Sequence, residues 1–456
     1  MFERQYEFNL AETSEHISGI LYEENLDRFR EEFLSHPLYE QAQIYRSLPA
    51  DMRMVMYNYL SPKEMSDMFE ILEEDVESVE AYILEMNKQY AADMLANMYT
   101  DNAVDMLQQL EENTVPEYLK LMDSEQASNI REMIDYETDT AGALMTTEFI
   151  SIRSNQTVRS AMALLKTLAK DAETIYYIYV VGNAGELVGV LSLRDLIVNP
   201  EKEMIYDIMS DRIVTVNVHD DQQDVALMAR DYDFLALPVV DDHNTLLGII
   251  TVDDILDVMH EEATSDYSGL AAVDVDELTV NPFQSAAKRL PWLITLLVLG
   301  MGTSTLISNY EGLIADAAVL SVFVTLITGT AGNAGTQSLA IAVRKIGSPK
   351  SMQQNWLSMI GQEMTTGIIS GVVTGLAIFL IVGFWQSNWI LSAIIAFSMF
   401  AAITVANLAG SLIPLLMDRI GFDPAVASGP FISTFSDLTS VLIYFNIAKH
   451  FLDLIV

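Results

Sequence analysis

Apolar positions along the chain fall into three successive patterns. Up to about residue 135 they recur at helical spacing in short units: SPKEMSDMFEIL at 61, NKQYAADMLANM at 87, TDNAVDMLQQL at 100 and DSEQASNIREMI at 123. A period of three to four residues gathers the apolar side chains on one face of each helix. Helices this short bury that face only against each other, so residues 1–135 are expected to form stacked helical hairpins, a small solenoid. The methionine stripe Met65, Met68, Met94, Met98 and Met106 is expected inside it.

Over 136–260 the pattern changes to short apolar runs followed by amphipathic stretches, which predicts buried strands alternating with helices. This region also repeats itself. LVGVLSLRDLI from Leu187 matches LLGIITVDDIL from Leu246, an offset of 59. Ile178–Val181 corresponds in kind to Ala236–Val240, and Leu144-Met145-Thr146 to Ile208-Met209-Ser210.

Beyond Pro291 uncharged runs dominate: 291–308, 317–343, 364–417, and 424–448 with Asp437 alone inside it. A membrane span needs about 20 residues. Five transmembrane helices follow, the third and fourth joined by a turn at Trp385–Trp389. Residues 261–284 are expected to form a linking helix and 285–456 the membrane domain.

Charge sharpens this division. From residue 282 onward seven basic residues balance seven acidic ones, so the whole net charge of −40 lies in 1–281, where 57 acidic residues face 17 basic ones. Such a surface repels itself, attracts counter-ions and disfavours nucleic acid. Lys288, Arg289, Arg344, Lys345, Lys350 and Arg419 flank one side of the spans and only Lys449 the other. By the positive-inside bias the N-terminus is cytoplasmic and the C-terminus outside, in the plasma or inner membrane. The opening MFERQYEFNLAETSEH has no apolar core, so no cleaved export signal is expected. Cysteine is absent, which excludes disulfides and thiolate metal sites.

Candidate chemistry concentrates at two membrane segments. The second span carries Gly332, Asn333, Thr336 and Gln337 in the run TGTAGNAGTQS. The last begins SGPFISTFSD, which places Ser433 and Thr434 one turn before Asp437. A carboxylate within a span needs water, a cation or a partner, and marks a functional site. Asp418 and Asp423 flank the expected inner entrance. No histidine spacing suits a catalytic metal and Gly335-Thr336 lacks a P-loop lysine, so an enzyme is not expected.

The tandem strand-Gly-strand-[Ser/Thr]-x-x-Asp-helix pattern resembles a pair of CBS motifs. That resemblance implies an adenine nucleotide such as ATP, with Tyr177, Arg194, Asp195 and Phe234 as candidates for ring stacking, phosphate and ribose. The Gly-Asn-Ala-Gly-Thr-Gln-Ser and Gly-Pro-x-x-x-Thr-x-x-Asp segments resemble the MgtE family of magnesium channels and transporters, with Ala331 where that family usually has glycine. The whole chain follows the family's order, a multidomain fold of all-α helical-hairpin N-domain, α/β tandem CBS pair, long linking or plug helix and five-helix transmembrane bundle.

The resemblance implies a homodimer in the lipid bilayer, with Mg²⁺ as both cargo and regulator and Asp437 paired across the two-fold axis. It implies that Mg²⁺ bridging acidic surfaces holds the pore shut. The expected sensor ligands are Asp221, Asp233, Asp254, Asp257, Glu262 and Asp266, with the i, i+4 pair Asp101 and Asp105 on the N-domain. Where the family often has Glu-Asp after Ala-Thr, this chain has Ser265-Asp266. Oxygen ligands also admit Co²⁺, Mn²⁺ or Ni²⁺ as cargo.

Overall fold

The computed structural model describes residues 8–72, 79–273, 282–346, 356–420 and 429–451. It forms two compact units, Met1–Met259 and His260–Val456. In the first, ten short helices lie between Leu10 and Ile134 among the described residues. The repeated units of the sequence begin at real caps. Ser61 and Glu64 close a capping box at Pro62–Phe69, and Asn87 and Asp123 accept from the first-turn N–H groups of Lys88–Leu95 and Ser124–Ile134. The five methionines of the stripe are buried in one core with Phe29, Phe33, Tyr45 and Phe69. Arg53 lies over the rings of Tyr45 and Tyr82 and forms an ion pair with Glu85, Nη2 to Oε1 2.5 Å. Helix α1 (Thr100–Gln108) is the part of this layer that carries Asp101.

The repeat that follows builds two three-stranded sheets, β1 (Ser151–Arg153), β2 (Tyr177–Val181) and β3 (Leu187–Ser192), then β4 (Val216–Asn217), β5 (Ala236–Val240) and β6 (Leu246–Thr251). In each, the first pair is parallel and the second antiparallel. The registers coincide: Tyr177 opposes Ser192 as Ala236 opposes Thr251, and both middle strands change register at equivalent sites, Val180/Val181 and Val239/Val240. The lead-in segments cross over. Thr146, ahead of β1, exchanges backbone hydrogen bonds with Ile249 of β6, whereas Ser210, ahead of β4, exchanges them with Val190 of β3. The repeats therefore interlock about a pseudo-two-fold axis and present two equivalent clefts.

After β3 comes the short helix α2 (Leu193–Val198), and after β6 its longer counterpart α3 (Val252–Ala271). The sequence placed the linking helix at 261–284. It instead grows directly out of β6, because Thr251 and Asp254 cap it there, and its expected continuation through Asp274, Asp276 and Glu277 lies outside the described residues.

Among its described residues the second unit holds five helices long and apolar enough to cross a membrane: α4 (Pro282–Ser308), α5 (Val319–Ile346), α6 (Trp356–Gln386), α7 (Trp389–Arg419) and α8 (Gly429–His450). α5 sits against α7 and α8 at Gly335, where a Cβ would lie 2.8 Å from Ser436 Oγ and 3.3 Å from the Ala406 carbonyl oxygen. Only glycine permits that approach, the usual way apolar helices associate in lipid. Tyr444 of α8 donates to the Leu320 carbonyl, 2.9 Å, and completes the core around Phe323, Ile395 and Phe445.

Candidate metal centre and membrane site

Three carboxylates from separate parts of the first unit converge. Asp101 comes from the first turn of α1, Glu173 from the segment before β2 and Asp254 from the first turn of α3, and one oxygen of each lies within 4.8 Å of the others. Asp101 is 5 % exposed. One Asp254 oxygen accepts from Thr251 N (2.9 Å) and Thr251 Oγ1 (2.7 Å), and Glu173 Oε2 is buried without a hydrogen-bond partner. Burial is the largest cause raising Asp101, followed by Glu173 and Asp254. Burial, then Asp254, pushes Glu173 up to about 8, and burial, with Asp253 and Asp257 nearby, takes Asp254 to about 6. Crowded, desolvated carboxylates hold protons until a cation replaces them. A hard divalent cation suits such an all-oxygen set.

Beside the cluster stands Glu148. Its carboxylate accepts from Thr100 N (3.2 Å), Thr100 Oγ1 (2.6 Å), Thr146 Oγ1 (2.7 Å) and Thr147 N (3.2 Å), fastening the start of α1 to the repeat.

Of the expected sensor residues the cluster takes Asp101 and Asp254. Asp105 is half-buried one turn along α1 and contributes to the field that raises Asp101. Asp257, Glu262 and Asp266 follow along α3. Asp221 instead caps the helix Gln222–Tyr232 by accepting from Gln223 N, and Asp233 ends that helix in a left-handed turn, φ 55°. Neither joins the cluster. Glu173 was not anticipated, since it lies in a connecting segment outside both repeated strand motifs.

Tyr177 and Phe234 line one cavity with Tyr179, Val190, Arg212 and Pro238. Phe234 stacks on Tyr232 at 5.4 Å and 4°. Asp195 caps α2, one of its oxygens accepting from Ser192 N (2.8 Å) and Ser192 Oγ (2.6 Å). Arg194 is exposed beside it, on the turn where Leu193 N donates to the Tyr176 carbonyl.

In the membrane unit Asp437 is half-buried on α8, facing Gly332 of α5. A Cβ on Gly332 would lie 3.9 Å from Asp437 Oδ1 and 3.0 Å from Ser433 Oγ. Thr336 Oγ1 bonds back to the Gly332 and Asn333 carbonyls, both at 3.1 Å. Asn333 and Gln337, one turn apart, are exposed on the same side of α5. Asp423 and the side chain of Asp418 lie outside what is described. A second buried carboxylate, Glu363 of α6, was not anticipated. Its oxygens lie 3.2 Å from Lys345 Nζ and 3.2 Å from Ser338 Oγ on α5.

Profiles of three families match in chain order. The MgtE intracellular N domain covers residues 36–139, the CBS domain 141–200 and 205–261, and MgtE, described as a divalent cation transporter, 324–447. The magnesium transporter MgtE of Enterococcus faecalis is 59 % identical over 432 residues, 95 % of this chain and 95 % of that one. This chain belongs to the MgtE family. It is accordingly a multi-pass membrane transporter and not an enzyme. The MgtE of Bacillus subtilis is 34 % identical over 91 % of this chain and 92 % of its own length. Among solved structures, the soluble part of a magnesium transporter shares 54 % identity with TM-score 0.54, covering 56 % of this chain and all of that one. The cytosolic domain of the Mg²⁺ channel MgtE in complex with ATP shares 33 % identity with TM-score 0.50, covering 54 % and 99 %.

Proposed function

We propose that this chain carries Mg²⁺ across the membrane as a homodimer, and that Mg²⁺ on its cytosolic side shuts it by binding at Asp101, Glu173 and Asp254. The observation that carries this reading is the convergence of three mutually repelling carboxylates, one of them 5 % exposed, between helix α1 and the two repeats. Mg²⁺ takes six oxygens in an octahedron and keeps several of its waters. Three carboxylate oxygens and water meet that need.

With the ion bound, α1 is held against β2 and α3. Without it, the carboxylates must take up protons or repel one another, nothing bridges them, and the layers separate. α3 is one helix from Val252 to Ala271 with Asp254 in its first turn, so whatever moves that turn is delivered along the rod. Asp105, Asp257, Glu262 and Asp266 add charge along the same line. Differential affinity of the ion for the closed arrangement supplies the shift.

The conduction path in this reading runs by Asp437, Gly332, Asn333, Thr336 and Gln337, with Asp418 and Asp423 at the cytoplasmic entrance. Relatives of this chain bear the name magnesium transporter, and outer-sphere contacts to the half-buried Asp437 let hydrated Mg²⁺ be held and released. An adenine nucleotide occupies the cleft of Tyr177, Phe234, Arg194 and Asp195, as ATP is bound by the cytosolic domain of the related Mg²⁺ channel.

Flux into proteoliposomes with an internal Mg²⁺ indicator tests the whole reading. Wild-type flux should fall as Mg²⁺ on the cytosolic face rises into the millimolar range, and Co²⁺, Mn²⁺ and Ni²⁺ should compete weakly. Flux that is indifferent to Mg²⁺ on that face would remove the regulatory half. Preference for another divalent ion would replace the cargo.

A further inference from the structure

The interlocked repeats allow the two clefts to be compared position by position. The shared registers make Ser192 equivalent to Thr251 and Val190 to Ile249, and the crossed hydrogen bonds make Ser210 equivalent to Thr146. It follows that Asp195 corresponds to Asp254, Arg194 to Asp253 and, two residues past Ser210 and Thr146, Arg212 to Glu148. The capping aspartate is common to both. Two other positions differ in one consistent sense. In the repeat half that holds Asp254 they are Glu148 and Asp253, both acids. Their counterparts are Arg212 and Arg194, both cations.

The acidic cleft is the one α1 closes with Asp101. The other keeps Arg212 and Arg194 exposed, and Arg212 lines the cavity with Tyr177 and Phe234. Residues 1–281 hold 57 acidic residues and 17 basic ones. Two arginines at the very positions where the sister cleft has acids therefore stand against the prevailing charge. A guanidinium binds phosphate oxygens through paired N–H donors, and the Tyr232–Phe234 stack supplies a face for a base.

We propose that Arg212 is a phosphate anchor of the nucleotide cleft, and that charge inversion between the duplicated clefts assigns a divalent cation to one and a nucleotide polyphosphate to the other. The proposal rests on the nucleotide reading above. The arginines bind the polyphosphate, and the aromatic residues bind the base whatever the phosphate number.

Equilibrium binding of ATP, ADP and adenosine to the full-length protein in nanodiscs tests it. Arg212→Ala should weaken ATP at least tenfold, ADP less, and adenosine less than twofold. Arg212→Lys should recover part of the loss, and Phe234→Ala should weaken all three ligands. If Arg212→Ala binds ATP within twofold of wild type while Phe234→Ala does not, the anchor is wrong and the nucleotide reading survives. If the wild type binds neither ATP nor adenosine, the nucleotide reading fails and takes the anchor with it.

Discussion

Glu173 is held far from its ordinary titration when the cluster is empty. Its carboxyl is pushed up to about 8 from an ordinary value of 4.5, first by burial and then by Asp254. Between those two pH values the folded protein binds more protons than the unfolded one, so stability falls as pH rises through the window. In EDTA, the thermal midpoint of the first unit should drop between pH 5 and pH 8.5. The loss should be equivalent to a few kcal/mol, at about 1.4 kcal/mol for each tenfold change in proton affinity. Millimolar Mg²⁺ should flatten the slope, and Glu173→Gln should flatten it in EDTA too. An unchanged slope in that variant, followed by differential scanning fluorimetry, would show that the strain lies elsewhere. Asp254 is legible in the sequence because it stands in the repeated strand motif, and Asp101 because it pairs with Asp105 at i, i+4. Glu173 stands in neither pattern, and only the folded crossing of the repeats brings it between them.

Between elements, the membrane unit is set by close approaches that composition hides. Ser338 of α5 has one hydroxyl hydrogen and two acceptors, the Asn407 carbonyl of α7 at 2.8 Å and Glu363 at 3.2 Å, so three helices meet on one side chain. Lys345, one heptad beyond Ser338 on the same face of α5, reaches Glu363 at 3.2 Å. Removing one partner of a buried pair leaves a charge uncompensated, at roughly 3–5 kcal/mol. Lys345 is about a third exposed, so Glu363→Ala should sit at the low end of that range. It should lower the detergent-solubilised thermal midpoint clearly more than Lys345→Met with Glu363→Met together. Equal losses from the single and double variants would argue that the pair does not hold α5 to α6. The five helices are legible as uncharged runs, and the repeat in 136–260 as a motif met twice. Glu363 escapes a reading of the sequence because it falls just before the longest uncharged run, where its burial depends on helices distant in sequence. The start of α3 is misplaced for a similar reason: its cap at Thr251 belongs to the strand motif.

For the whole molecule, the cation path and the cation sensor draw on the same ligand chemistry in different units, so they should separate by mutation. Asp437 carries its carboxylate well inside α8, half-buried against Gly332. Without its carboxylate, the reluctance of Mg²⁺ to leave bulk water goes unopposed, so Asp437→Asn should lower proteoliposome flux at least tenfold at every Mg²⁺ concentration on the cytosolic face. Protease protection of the cytosolic unit by Mg²⁺ should stay as in the wild type. Asp101→Asn combined with Asp254→Asn should do the reverse. With two of the three ligand carboxylates gone, the affinity that closes the filled cluster weakens. Flux at low Mg²⁺ should stay within about twofold of wild type, suppression at millimolar Mg²⁺ should disappear, and protection should be lost. Loss of flux in both variants would mean that the cytosolic carboxylates feed the path directly. Suppression persisting in the double variant would move the sensor to the remaining carboxylates along α3, with Asp257, Glu262 and Asp266 next to be neutralised.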